Sequence, residues 1–240
     1  MLIIKNPDSP KNKLLAALPD EDYQRFVPDL EFVEMSMNQV LYEPKEPIKD
    51  VYFLNQGIVS IVYITEDGST VEVGIVGNEG MIGIPVFLGG NMTTTTAVVQ
   101  IVGTAMKMNA VRLKAEFDVG GSLQKLLLRY TQALLTQISH TAVSNRLNTM
   151  EQRLARWLLM AADLTQSDQF PLTQELIAHM LGVRRSGVTV AAGILSQAGM
   201  IRYSRGRITI LNREALEATA GESYRMIETE FSRLLDTERA

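Results

Sequence analysis

Two groups of arginines in the last third of the chain have the chemistry for binding a polyanion. Arg184 and Arg185 stand together in a stretch of helical periodicity, and three more arginines follow in a short segment of β pattern: Arg202, Arg205 and Arg207. A guanidinium group is planar and can make two parallel hydrogen bonds to one phosphate or to the edge of a guanine. These residue types and spacings therefore predict contacts to a nucleic acid.

The stretch at residues 172–193 has the pattern of a helix-turn-helix. Thr173 is a suitable N-cap for a first helix, and Gly182 can leave that helix with a positive φ to make a tight turn. Ala178, four residues before the glycine, leaves room for two helices to cross, and a second helix would then begin near Arg184. The motif favours a helix that enters a DNA groove, and an ordinary helical hairpin is the alternative.

The segment that follows the helix-turn-helix predicts a β-hairpin. Residues 200–210 read as a short strand, a turn at Arg205-Gly206 and a second strand. A hairpin at this position would be a wing beside the recognition helix, with its arginines at or near the tip. A solvated basic turn without function is the alternative.

The charges of the chain are unevenly distributed. The whole chain has a net charge of −4, yet residues 171–213 contain six arginines and one acid. Residues 1–150 and residues 214–240 each carry a net charge of −4. Net positive charge is therefore confined to the segment that would face DNA, and this distribution favours a single docking orientation.

The composition excludes several kinds of protein. The chain has 240 residues and no cysteine, which excludes disulfides and iron–sulfur clusters. No stretch approaches the ~18 apolar residues of a membrane helix, and the first residues lack the features of a signal peptide. We therefore expect a cytoplasmic protein.

The amino-terminal half reads as a β-roll. Between Val40 and Met108, β-branched runs alternate with turns, of which Asp67-Gly68 is a clear hairpin signal. This region contains no histidine, so a metal site of the cupin kind is not expected. The chain also lacks a glycine-rich phosphate loop and a recognisable nucleophile. We therefore expect no catalytic residues, no metal ligands and no enzymatic activity.

A long helix is predicted from Leu123 to about Asn148. Its apolar residues recur at spacings of seven, four and four, which is the seam of a coiled-coil-like pairing between two copies. The predicted dimerisation residues are Leu127, Leu134, Ile138 and Ala142. The alternative is a helix that packs only on its own domain.

The order of these parts resembles the CRP/FNR family of bacterial transcription regulators. The resemblance is carried by residues 52–59 (YFLNQGIV), 151–159 (EQRLARWLL) and 172–193, and it extends from about Leu14 to Leu211. It implies a homodimer that binds double-stranded DNA through two recognition helices. Contact with RNA polymerase is also expected, although no residue pattern shows which surface of the protein would make that contact. An effector-binding protein that acts through protein contacts instead of DNA is the alternative.

This resemblance implies an α+β fold in three parts. Residues 1–120 would form a β-roll that senses an effector, as in cyclic-nucleotide-binding domains, and residues 121–148 the dimerisation helix. Residues 149–240 would form the winged helix-turn-helix domain. That domain would end in a single helix from Arg213 to about Leu235, capped by Asn212.

The sensor part departs from family members that bind cyclic nucleotides. Those members hold the ribose with Gly-Glu and the cyclic phosphate with an arginine about ten residues later, whereas Ile84 and threonines occupy these places here. A buried phosphate without a cation would lose its charge-assisted bonds, so we expect no cyclic AMP. We also expect no haem, because a lone helical histidine is usually structural or exposed. Any effector pocket would involve Ile84, Thr95, Thr96 and His140, and the alternative is a pocket filled by apolar side chains with no ligand.

The resemblance also assigns roles on the recognition helix and wing. Arg185 matches the base-reading arginine of the family, and Ser186 and Thr189 are the other expected base contacts. Ser186 stands where a glutamate is common, so the familiar half-site sequence cannot be carried over. The expected phosphate contacts are Arg184, Arg202, Arg205, Arg207 and Thr173.

Overall fold

Two long antiparallel strands form the centre of the amino-terminal half in the computed structural model, which describes residues 10–235. These strands, β3 and β6, pair with each other from Asp50↔Asn109 to Val62↔Thr96. The strands of this six-stranded sheet are β1 (Glu31–Met35), β2 (Val40–Tyr42), β3 (Asp50–Ile64), β4 (Thr70–Val76), β5 (Met81–Ile82) and β6 (Thr96–Asn109). Strands β1 and β5 flank one end of the central pair, and β2 and β4 flank the other.

The central pair bends sharply at two glycines. Gly57 has φ 89° and lies in a shift of register between Gln56 and Ile58. A Cβ added to Gly103 would lie 2.0 Å from the carbonyl oxygen of Gln56, so only glycine allows this close approach. The bend closes the sheet into the predicted β-roll.

Helices cover the roll on the side of its apolar core. They are α1 (Lys13–Ala16) and α2 (Asp20–Phe26) before the sheet, and α3 (Ala110–Val119) and α4 (Ser122–Leu147) after it. The side chain of Asn12 caps α1 and also donates to the carbonyls of Leu54 and Gly80, each at 2.8 Å, which ties the first helix to the roll. Helix α4 is the predicted long helix, whereas α3 was not predicted.

The predicted seam on α4 is wrong in part. Leu127 and Leu134 are 0% and 1% exposed and pack into the core of the roll, with Ile138 partly buried beside them. Of the four predicted residues only Ala142 is exposed. The side chains that α4 leaves in solvent belong to the adjacent stripe, one residue along from the predicted one, and include Leu128 and Leu135.

The carboxyl-terminal half contains a small three-stranded sheet and five helices. In order they are α5 (Met150–Thr165), β7 (Gln169–Pro171), α6 (Gln174–Leu181), α7 (Arg185–Gln197), β8 (Ile201–Ser204), β9 (Arg207–Ile210), α8 (Arg213–Ala220) and α9 (Glu222–Leu235). Helix α5 begins with a capping box between Thr149 and Gln152, directly after the extended Asn148 that ends α4. Its buried residues, Trp157 among them, form the centre of a second hydrophobic core.

The predicted final helix is two helices. Asn212 caps α8 as expected, accepting a hydrogen bond from the Ala215 amide at 3.0 Å. Gly221, with φ 74°, ends α8, and α9 then turns back across α5 and α4. Phe231 of α9 packs against both cores.

The β-roll contributes to the core of the other half. Ile58, Ile75 and Ile101 of the sheet belong to the same buried cluster as α5, α6 and α7. The observed architecture is thus α+β, with a β-roll followed by a long helix and a winged helix-turn-helix. No helix within residues 10–235 is both long and apolar enough to cross a membrane.

Candidate nucleic-acid interface

The helix-turn-helix forms as its sequence pattern predicts. The Thr173 side chain accepts from the Leu176 amide at 3.2 Å and caps α6, and Gly182 ends α6 with φ 61°. Ala178 and Val188 are 6% and 0% exposed where α6 and α7 cross. The turn thereby fixes the start of α7 as the most exposed part of the motif.

The predicted base contacts lie on the first turns of α7. Arg185, Ser186 and Thr189 are all exposed, and Arg184 is the N-cap residue of the helix. Gln174 at the start of α6 accepts hydrogen bonds from Arg185 Nε at 3.4 Å and from Thr189 Oγ1 at 3.0 Å. Sequence reasoning missed Gln174, although its place directly after the cap of α6 could have drawn attention to it.

The wing is a tight hairpin between β8 and β9. Arg205 and Gly206 have φ 52° and φ 72°, so both residues of the turn are left-handed, as in the turns that suit two-residue hairpins. Strand β7, which was not predicted, pairs with β9 on the other side. The Leu172 amide donates to the carbonyl of Gly206 at 2.8 Å, which ties the wing to the residue before the cap of α6.

The arginines predicted to contact DNA are available for a ligand. Within the described part of the chain, none of them takes part in an ion pair, and all are exposed: Arg184, Arg185, Arg202, Arg205 and Arg207. Arg213, the sixth arginine of the basic segment, pairs with Asp163 at 2.6 Å and with Glu217 at 2.8 Å. It therefore stabilises the α5–α8 contact and is not free for phosphate.

A cleft of about 360 Å³ lies where the starts of α6 and α7 meet the wing. Its lining includes Thr173, Gln174, Arg185 and Gly206. Glu175 also lines it and is the one acid in the basic segment. Residues from the three predicted parts of the interface are thus neighbours in space, and the cleft can accept an anionic group beside Arg185.

The four residues of the predicted effector pocket lie on three separate segments of the fold. Ile84 is partly buried in a short 3₁₀ turn (Ile84–Val86), and Thr96 is 4% exposed at the start of β6. The Thr95 hydroxyl is hydrogen-bonded to that of Thr93 at 2.9 Å, and His140 is partly buried on α4. Among residues 10–235, no three histidine or acidic side chains are arranged to hold a metal ion.

A larger cleft, of about 710 Å³, lies between the two halves. Helices α1, α4, α5 and α9 line it, together with Glu79 of the roll. Burial raises the pKa of the Glu79 carboxyl. None of the residues predicted to form an effector pocket lines this cleft.

Comparison with protein families gives two matches that together span most of the chain. A model described as a cyclic nucleotide-binding domain matches residues 32–118, and one described as a Crp-like helix-turn-helix domain matches residues 152–219. The first match contains the β-roll strands β3 to β6, and the second contains α6, α7 and the wing.

Curated relatives and solved structures agree with these matches. The chain is 23% identical over 188 residues to the global nitrogen regulator of Synechocystis and 25% identical over 187 residues to that of Nostoc. These alignments cover 75% and 72% of this chain, and 84% and 82% of the relatives.

Among solved structures, the fold is similar to that of FixK2 from Bradyrhizobium japonicum. The TM-score is 0.70 at 18% identity, over 80% of this chain and 98% of FixK2. It is also similar to a CRP-family transcriptional regulator from Thermus thermophilus, with a TM-score of 0.65 at 20% identity, over 79% of this chain and 97% of that one.

Proposed function

Because this chain belongs to the CRP/FNR family of DNA-binding transcription regulators, we propose that it reads DNA with α7 and grips the backbone with its wing. In this proposal Arg185, Ser186 and Thr189 contact bases. The phosphate contacts are Thr173, Arg184, Arg202, Arg205 and Arg207. The observation that carries the proposal is a set of five exposed arginines at the start of α7 and on the wing, none of which forms an ion pair with any residue from 10 to 235.

We also propose that the protein acts as a homodimer through the exposed stripe of α4. Leu128 and Leu135 are 49% and 57% exposed, and Ala142 follows at the same spacing of seven residues. Val143 and Leu147, also exposed, extend the stripe towards α5. Dimerisation is typical of the family, and two copies are needed to reach half-sites about one helical turn apart.

The roles of the three parts follow from this arrangement. We propose that residues 1–120 form the sensor, residues 121–148 the dimerisation helix and residues 149–240 the DNA-binding domain. The protein would act in the cytoplasm, where it meets DNA and RNA polymerase. We propose that the sensor does not bind cyclic AMP, because Ile84, Thr95 and Thr96 offer no cation to a cyclic phosphate. We also propose that it does not bind haem, because His140 is a lone histidine on a helix. Calorimetry showing micromolar or tighter binding of cyclic AMP would contradict the first part of this proposal.

Salt-dependent binding tests the phosphate contacts. A fluorescent duplex of random sequence is titrated with protein at about 50 to 200 mM salt, where each phosphate contact adds about one to the slope of log affinity against log salt. We expect Arg205→Ala to reduce the slope by about one. Arg213→Ala, at an arginine held in ion pairs, is the matched control and should leave the slope unchanged. No binding by the wild-type protein would instead favour a regulator that acts through protein contacts.

A further inference from the structure

A buried polar cluster joins the β-roll to the DNA-binding half. Glu72 on β4 is 7% exposed, and its carboxylate accepts hydrogen bonds from the Ser60 hydroxyl on β3 and from Trp157 Nε1 on α5. The distance from Trp157 Nε1 to Glu72 Oε1 is 2.9 Å. The hydrogen bond from Trp157 thus crosses directly from α5, the first helix after the extended Asn148, to the sheet of the β-roll.

The neighbour of Trp157 is also polar and buried. Arg156 is 4% exposed and donates to Thr141 Oγ1 on α4 at 3.2 Å. Its Nε has no hydrogen-bond partner within the described residues, and its charge favours the ionised form of Glu72 from beyond ion-pair distance. Three elements, β4, α4 and α5, therefore meet at one cluster.

The rest of this junction is apolar. Ile58, Ile75 and Ile101 of the roll lie in one buried cluster with Leu154 and Leu158 of α5. Apolar packing is tolerant of small rotations, whereas a buried hydrogen bond has a narrow range of distance and angle. A buried charged group also costs stability relative to an apolar one of similar shape, so the cluster is better explained by the orientation it fixes.

The orientation of α5 is passed on to the helix-turn-helix. Arg153, one turn before Trp157, donates to the carbonyl of Leu181 at the end of α6. At the same turn, a Cβ added to Gly182 would lie 3.2 Å from Val71 Cγ2, so the turn packs closely on β4 next to Glu72. The start of α7 is therefore fixed relative to β4 both through α5 and directly.

We propose that Glu72 and Trp157 are positioning residues for DNA binding: their hydrogen bond holds α5, and with it α7, in one orientation relative to the β-roll and α4. The inference rests on the proposed function, because a fixed orientation matters only if α7 enters DNA. The pair and the packing of the Gly182 turn on Val71 are then the two routes by which a change in the roll would reach the recognition helix.

A double-mutant cycle on DNA affinity tests the pair. Full-length Glu72→Ala, Trp157→Phe and the double variant are titrated with a duplex that the wild-type protein selects from a random library. We expect each single variant to bind about tenfold more weakly, and the double variant no more weakly than the weaker single variant. Glu72→Gln retains an acceptor for Trp157 Nε1 and should stay within about threefold of wild type.

Two outcomes would overturn the proposal. One is unchanged DNA affinity in both single variants, which would show that the cluster contributes only to folding stability and does not orient α7 for DNA binding. The other is a double variant whose loss is the product of the single losses, which would mean that the two side chains act independently. Trp157→Phe keeps most of the buried volume, so it decides the question even if Glu72→Ala does not fold.

A measurement without DNA separates this inference from the proposed function. Amide hydrogen exchange of the free protein should rise across α5 and α6 in Trp157→Phe and stay near wild type in Glu72→Gln. Equal exchange in all three proteins would overturn the positioning role. A wild-type protein that fails to bind DNA would contradict the proposed function, and the exchange result would still decide whether the pair orients α5.

Discussion

Arg185 is the side chain on which sequence discrimination should depend most. It is exposed at the start of α7, and Gln174 holds its Nε at 3.4 Å. An arginine so placed can bond to both O6 and N7 of a guanine. We expect Arg185→Ala to cost about 1–3 kcal/mol of binding to the preferred duplex and to relax one base position in each half-site. Binding measured on single-base variants of the duplex checks this, and an unchanged base preference would refute the assignment.

Arg205 should behave differently, because it lies in the turn of the wing. A contact to the phosphate backbone carries no direct sequence information. We expect Arg205→Ala to weaken the preferred duplex and a scrambled duplex by the same factor, measured side by side by fluorescence anisotropy. A loss confined to the preferred duplex would instead place Arg205 at a base edge.

At the residue scale, the sequence predicted the local geometry but not the partners. Thr173 and Gly182 have the predicted cap and turn conformations because both depend on near neighbours in the chain. Gln174 was missed, and the pairing of Arg213 with Asp163 could not be foreseen. These contacts join residues 11 to 50 positions apart, and a single sequence does not show which side chains meet.

At the scale of elements, α4 shows how an apolar pattern can predict a helix and misplace its faces. Leucines occur in adjacent pairs at 127/128 and 134/135, so two stripes one residue apart fit the same spacing of seven. In the structure, Leu127 and Leu134 pack into the core of the roll, and Leu128 and Leu135 are exposed. The choice depends on where the sheet lies, which the sequence of the helix does not specify. Gly221 was missed as the end of α8 for a different reason, since a glycine just after a helix is a local stop signal that the apolar pattern on both sides of it obscured.

The exposed stripe gives a prediction about assembly. We expect Leu128→Glu combined with Leu135→Glu to convert the dimer to a monomer, because paired acids would be buried without partners between two copies. Sedimentation at micromolar concentration measures the change. Val111→Glu, at a position 75% exposed on α3, is the matched control and should remain dimeric. A monomeric wild type, or a dimer in the double variant, would rule out this face.

At the scale of the whole molecule, the junction between the halves should make stability depend on pH. Burial raises the pKa of Glu72 from 4.5 to about 7. Three groups oppose this rise: Ser60 of β3 and Trp157 of α5 as hydrogen-bond donors, and Arg156 of α5 as a cation. The folded state therefore binds the carboxyl proton of Glu72 more tightly than the unfolded state does. Its contribution to stability is complete below about pH 4.5 and is lost as the pH rises through 7.

Glu72→Gln should remove this part of the pH dependence. Between about pH 5 and pH 8, we expect the wild-type free energy of unfolding to fall relative to that of Glu72→Gln by up to about 3 kcal/mol. Denaturant titrations at the two pH values measure it, with Glu66→Gln at an exposed position as control. Parallel pH profiles for wild type and Glu72→Gln would show that Glu72 does not titrate in this range.

The order of the parts and the α+β architecture were predicted from the sequence, because each part has a strong local pattern. The shared core and the Glu72–Trp157 contact were not, since they join residues 85 positions apart across two halves. These long-range contacts determine how the β-roll and the DNA-binding half are held together.

Selection from a randomised duplex library with purified, ligand-free protein tests the central claim most directly. A dimer that reads DNA with two copies of α7 should enrich a two-fold symmetric motif, with half-sites about 10 base pairs apart from centre to centre. Arg213→Ala should select the same motif as wild type. Enrichment of a single unrepeated half-site would contradict the dimer, and enrichment of no sequence by the ligand-free protein would contradict sequence-specific reading by α7 in the state described.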